Sequence, residues 1–215
     1  ETGLIVPIGY WVIEEACRQL AQWHALGHRD LGMSINLSAR QFQDPGLVDR
    51  VACILTDLRL PPDCVEFELT ESVLMDNAER SLEQLERLRA LQVTIAIDDF
   101  GMGYSSLSYL KRFPIHALKI DRNFVSDLVT NPEDAAIVRA VLSLAEALRL
   151  QVIAEGIETE AQHAHLLAQG CPEGQGFLYG RPTGPAEALR ALELDRRLRP
   201  AGRALRVVEP GAPAP

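Results

Sequence analysis

Thr94–Leu107 reads TIAIDDFGMGYSSL. Its first half alternates apolar side chains in the manner of a buried strand, and the strand ends in two adjacent aspartates, Asp98 and Asp99. Neighbouring like charges repel, and taking them out of water is costly unless something cationic compensates. A loop bracketed by Gly101 and Gly103 follows. The stretch predicts a strand whose C-terminal end carries a charged site.

The same letters spell Asp99-Phe100-Gly101, the metal-binding triplet of protein kinases, and His28-Arg29-Asp30-Leu31 resembles their catalytic loop. Spacing excludes that reading. The kinase asparagine belongs five residues after the aspartate, where this chain has Ile35; Asn36 is one late. A glycine-rich phosphate loop and a VAIK-type lysine are also missing. His28-Arg29-Asp30 reads instead as a solvated turn after a helix.

Working outward, five more segments have strand character: MSINLS (33–38), VEFELT (65–70), ALKID (117–121), QVIAEG (151–156) and GFLYG (176–180). Helical periodicity lies between them, over roughly 7–26, 46–58, 77–90, 132–149, 159–169 and 185–197. Asn131-Pro132 is a start signal for the fourth helix, with Asn131 as cap and Pro132 in the first turn. Alternating β and α segments predict a parallel sheet with crossover helices.

Side chains on a strand alternate between faces, so each strand divides into two rows. One row is apolar: Ile35 and Leu37, Phe67 and Leu69, Ile95 and Ile97, Leu118 and Ile120, Val152 and Ala154. The other ends in Asn36, Glu68, Asp98, Lys119 with Asp121, and Glu155. Matched parity in five strands predicts a (β/α) barrel with its polar row converging at the C-terminal ends of the strands, where such barrels keep their sites. Glu66 shares parity with Glu68 but lies deeper. A ring of Asn, Asp and Glu offers only oxygen, which suits a hard cation such as Mg²⁺, Mn²⁺ or Ca²⁺. A shared carboxylate such as Asp98 can bridge two metals ~3.5–4 Å apart, an arrangement suited to in-line phosphoryl displacement.

Composition narrows the partners. The chain has 215 residues, 47% hydrophobic and 24% charged, with net charge −9, enough to bury a sizeable core in one domain. No basic stripe occurs, which argues against groove binding to nucleic-acid polymers. Cys17, Cys53, Cys64 and Cys171 form no CxxC pair and read as reduced, mostly buried thiols. There is no apolar run of membrane-span length and no signal-peptide pattern. The expected location is cytoplasmic, with no membrane contact from this chain.

The blocks ETGLIVPIGYWV (1–12), ACRQLAQW (16–23), INLSARQF (35–42), FELTESVLM (67–75), IAIDDFGMGYSSLSYLKRFPIHALKIDR (95–122), VIAEGIET (152–159) and CPEGQGFLYGRP (171–182) resemble, in one order, the EAL domain. That family is a bacterial phosphodiesterase module that linearises cyclic di-GMP to pGpG. The resemblance implies a TIM-like barrel and dependence on Mg²⁺ or Mn²⁺, with Ca²⁺ inhibitory. It implies Asn36, Glu68 and Asp98 as ligands of one metal and Asp98, Asp99 and Glu155 as ligands of a second. Lys119 resembles the residue that positions the attacking water, and Glu155 a position also regarded as a base. Glu71 resembles the glutamate that holds the loop of Gly101, Gly103 and Ser105 in its competent form. Glu158 and Gln175 resemble ligand-contacting positions, and Asp121 a polar neighbour of the site. The family also implies a homodimer near the loop and following helix, where Leu107, Tyr109 and Leu110 offer apolar contact, and an upstream sensor or GGDEF-type domain.

Met102, Phe177 and Gly180 depart mildly from the family pattern. The Glu-Ala-Leu motif itself is expected upstream of Glu1. The triplets at Glu146–Leu148 and Glu187–Leu189 fall in amphipathic helical patterns, not at strand ends. About six of eight barrel strands are therefore expected in residues 1–198. The Pro/Ala/Gly-rich tail, 199–215, is expected to be disordered. A catalytically inactive cyclic di-GMP receptor module is the alternative to an enzyme.

Overall fold

The structure is a computed structural model and describes residues 3–103, 106–198 and 207–208. Its strands are β1 (Met33–Asn36), β2 (Val65–Thr70), β3 (Thr94–Phe100), β4 (Ala117–Ile120), β5 (Gln151–Ala154), β6 (Glu173–Gly174) and β7 (Val207–Val208). The main helices are α1 (Ile5–Ala25), α3 (Leu47–Leu58), α5 (Ala78–Ala90), α8 (Pro132–Leu148), α9 (Glu160–Ala168) and α10 (Pro185–Leu198). Four short ones intervene: α2 (Ala39–Phe42), α4 (Glu71–Asp76), α6 (Leu107–Leu110) and α7 (Arg122–Ser126). The chain forms two compact units, one of Glu1–Phe67, Ala90–Thr94 and Pro182–Pro215, the other of Glu68–Arg89 and Ile95–Arg181.

In the first unit α1 buries Ile13, Ala16, Cys17, Leu20 and Trp23, a stripe at three- and four-residue spacing. The α3 helix buries Leu47, Val48, Val51, Ile54 and Leu55 in the same way, and Arg59 ends it in the left-handed region at φ 53°. Glu66 is buried and accepts a 2.9 Å hydrogen bond from Ser34 Oγ, which accounts for a carboxylate so deep in β2. His28, read from sequence as solvated, is buried. Within the tail, Val207–Val208 pair in parallel with Met33–Ser34, and the remaining tail residues lie outside the described ones.

In the second unit β3, β4, β5 and β6 run parallel in that order. Asn131 caps α8 through a 2.9 Å bond from the Glu133 N–H, with Pro132 next, as the sequence predicts. The apolar rows are buried, with Leu69, Ile95, Ile97, Leu118 and Ile120 all at 0% exposure; burying each such side chain contributes ~1.5–3 kcal/mol. The opposite face has its own apolar layer, Ala96, Ala117 and Ile153 packed together. Each sits two residues before a charged one, Asp98, Lys119 and Glu155, so the polar layer rests on a dry floor.

The predicted strand at 176–180 is not a strand. The ladder forms two residues earlier, at Glu173–Gly174 against Ile153–Ala154. Gly176 then presses so close to Ile157 that a Cβ would lie 2.1 Å from its carbonyl oxygen, and the chain turns there. The Leu178 N–H bonds Ile157 O, and the Tyr179 N–H bonds Gly176 O, closing the turn. Both Glu-Ala-Leu triplets lie within helices, α8 and α10. All four thiols are free; Cys17 and Cys171 are buried, Cys64 is half-buried and Cys53 is exposed.

Candidate active site

The site of the second unit is built on the layer above the apolar floor. Lys119, on β4, is 1% exposed, and its Nζ lies 2.7 Å from Glu68 Oε2, 3.3 Å from Asp98 Oδ1 and 2.5 Å from Glu155 Oε1. Parallel register delivers these groups: Ile120 pairs with Ala154, so Glu155 emerges one residue beyond β5, its N–H bonded to Ile120 O. Burial disfavours the ammonium, but Glu68, Glu155 and Asp98 outweigh it and hold Lys119 above the ordinary lysine value. Glu155 moves the other way from a usual carboxylate. Burial raises it to about 7, against the opposing pull of Lys119, with the Asp98 charge adding to the rise.

Strict alternation would send Asp98 and Asp99 to opposite faces. A β-bulge prevents this: Ile97 pairs with Leu118 and Phe100 with Ile120, leaving one residue too many on β3. Asp99 takes up the excess with φ 52°, a left-handed conformation that aspartate tolerates better than most residues. One oxygen each from Asp98, Asp99 and Glu155 therefore lies within 4.8 Å of the others. Burial, then a hydrogen bond with Asp121 and the neighbouring Asp98 charge, raise Asp99 to about 6. Asp121 in turn caps α7, accepting from the Asn123 N–H at 2.7 Å. Three carboxylates around one ammonium leave a surplus of negative charge, and their all-oxygen donor set fits a hard divalent cation.

Glu71 opens α4 and is 2% exposed. Its Oε2 accepts from the Gly101 N–H at 3.1 Å, tying the loop after β3 to the end of β2. Gly103 lies against the same carboxylate, where a Cβ would be 2.8 Å from Oε1. Ser105 lies outside the described residues. Beyond the loop, Leu107 is exposed, whereas Leu110 is buried and so does not offer the surface contact expected of it.

Gln175 donates from Nε2 to Glu155 Oε1 at 2.6 Å, fixing that carboxylate from the side opposite β4. Glu158 is exposed, and its backbone N–H bonds Gln162 Oε1. Asn36 ends β1 in the first unit with its side chain exposed. Gln162 was not anticipated. It is buried, caps α9 with Thr159, and donates from Nε2 to the carbonyls of Val125 and Ser126 at the end of α7. The signal was present as the Thr159-x-x-Gln162 capping box.

Comparison with known proteins places this chain in a family. Residues 1–182 match the EAL domain. The bifunctional diguanylate cyclase/cyclic di-GMP phosphodiesterase MucR of Pseudomonas aeruginosa is 52% identical over 191 residues, 89% of this chain and 28% of MucR. The chain thus spans about a quarter of the length of the curated relatives it matches. Among solved structures, the PaMucR phosphodiesterase in complex with c-di-GMP superimposes with a TM-score of 0.84 at 53% identity, covering 87% of this chain and 76% of that one. The EAL domain of Mycobacterium smegmatis DcpA gives 0.86 at 43% identity, covering 89% and 86%. The match over residues 1–182 and the superposition over most of both folds settle the relationship: the chain belongs to the EAL domain family, with its TIM-like barrel fold.

Proposed function

We propose that this chain is the catalytic part of a metal-dependent phosphodiesterase that hydrolyses cyclic di-GMP to pGpG. The observation that carries the reading is the cluster of Asp98, Asp99 and Glu155 beside Lys119, in an EAL domain whose relative MucR bears that activity in its name. Glu68, Asp98, Asp99 and Glu155 would hold Mg²⁺ or Mn²⁺. A bound divalent cation supplies Lewis acidity that offsets the phosphodiester charge.

The chain's own residues account for the rest. In the net reaction a water oxygen bonds to phosphorus, the bond from phosphorus to the 3′ oxygen breaks, and that oxygen ends as a hydroxyl. Glu155, held beside Lys119, takes the water proton. Lys119 keeps its charge and faces the developing negative charge from the floor of the site. Gln175 fixes the Glu155 carboxylate, and Glu71 holds the loop of Gly101 and Gly103 in place. Glu158 and Asp121 border the substrate.

Incubation with cyclic di-GMP and Mg²⁺ or Mn²⁺, with and without EDTA, followed by chromatography, tests the reading. Metal-dependent appearance of pGpG is expected. Tight nucleotide binding that EDTA leaves unchanged, with no product, would instead make the domain a receptor.

A further inference from the structure

We propose that Lys119 is a built-in counter-cation that keeps the carboxylates assembled when no metal is bound and, by the same contacts, sets how strongly they take a divalent metal. The inference rests on the metal reading above. Three carboxylates, on β2, on β3 and just past β5, meet on one ammonium, at 2.5 to 3.3 Å, in a layer where Lys119 and Glu68 are each 1% exposed. Beneath lies the Ala96, Ala117 and Ile153 floor, which offers no polar group of its own side chains. Without Lys119, Glu68, Asp98 and Glu155 would face one another across a low-dielectric gap, where repulsion at 4 Å is several times its value in water. With it, one of three charges is matched, and a surplus remains to attract metal.

The two consequences have opposite signs. In the metal-free protein Lys119 stabilises, because it relieves repulsion among buried carboxylates. Toward a metal it opposes binding, because a divalent cation must share or take over the oxygens Lys119 already holds and feels its positive charge nearby. A lysine serving only to position water would produce the second effect weakly and the first not at all.

Lys119→Met keeps the unbranched shape as far as Cε and removes the charged group. Thermal unfolding of the full chain by circular dichroism, in EDTA and across a Mn²⁺ titration without nucleotide, reads both effects, and calorimetry gives the Mn²⁺ affinity directly. The variant is expected to melt several degrees below wild type in EDTA and to bind Mn²⁺ at least about tenfold more tightly. Equal melting in EDTA, or unchanged or weaker Mn²⁺ binding, would overturn the proposal. A variant unfolded in EDTA that folds on adding Mn²⁺ would support it. If Lys119→Met stays unfolded even with Mn²⁺, adding Glu155→Gln should restore folding by removing one of the opposed charges, and failure to do so would count against it. Absence of Mn²⁺ binding by both wild type and variant would overturn the metal reading and this inference with it. Absence of metal-dependent cyclic di-GMP hydrolysis by the wild type, with these shifts intact, would overturn only the proposed function.

Discussion

The contact between Gly103 and Glu71 makes a sharp prediction. In Gly103→Ala the new methyl carbon would sit 2.8 Å from Glu71 Oε1 and 3.1 Å from Cδ, closer than a carbon can approach without displacement. Glu71 is 2% exposed and cannot swing into solvent, so either it or the loop must shift and stretch the bond from the Gly101 N–H. Losing a hydrogen bond to a charged group costs ~1.5–3 kcal/mol. Alanine returns ~0.4–1 kcal/mol by narrowing the unfolded ensemble, leaving a net loss of about 0.5–2.5 kcal/mol. Faster amide exchange at Gly101 should accompany it, and turnover should fall as the closed loop becomes less populated. The decisive assay is a double-mutant cycle. Glu71→Ala removes both the bond and the obstacle, so Gly103→Ala on that background should keep only the ~0.4–1 kcal/mol gain of alanine, a coupling of about 1.5–3 kcal/mol. Equal cost on both backgrounds would refute the reasoning.

Three further outcomes are expected. Glu155→Gln and Asp98→Asn should each bring pGpG formation below detection while the protein keeps its circular dichroism spectrum, and near-wild-type turnover in either would contradict the proposed roles. Glu155 and Asp99 lie above their ordinary values, so metal-free stability from these groups is present at low pH and lost as pH rises through about 6 to 7; Mn²⁺, which competes with those protons, should bind more tightly at pH 8 than at pH 5.5 by calorimetry. Gln162→Leu strands the carbonyls of Val125 and Ser126 and the N–H groups of Glu158 and Thr159, and should cost about 2–4 kcal/mol in urea unfolding.

Much of the frame was legible because strand and helix periods carry it. The alternation in VEFELT, TIAIDD and ALKID separates an apolar row from a polar one, and those segments are strands β2, β3 and β4. The Asn131-Pro132 start signal marked α8 to the residue. GFLYG misled because its composition suits a strand, while what excludes it is a tertiary contact, the backbone of Ile157 against Gly176. Nothing local announces that approach except the glycine itself. The short helices α4 and α7 were equally silent, since each spans barely a turn and is started by a strand-end residue such as Asp121.

The site was legible in its inventory but not in its arrangement. Parity alone placed Glu68, Asp98, Lys119 and Glu155 on one face, and Lys119 touches the other three. Parity also sent Asp99 to the opposite face, and there it fails. The pair of aspartates can act together only because β3 gains a residue at the bulge and Asp99 accepts a positive φ. A strained conformation at a residue other than glycine persists where surrounding contacts hold it, and here the Asp121 carboxyl and the flanking pairs to β4 do so. The double aspartate that looked like an electrostatic mistake in the sequence is thus two separate devices. Asp98 belongs to the regular ladder and meets Lys119, while Asp99 is turned in by the bulge to complete an oxygen cluster whose three charges the single ammonium of Lys119 offsets only in part. That division leaves uncompensated charge on the side of the site formed by Asp98, Asp99 and Glu155, which is where a cation would be held most strongly.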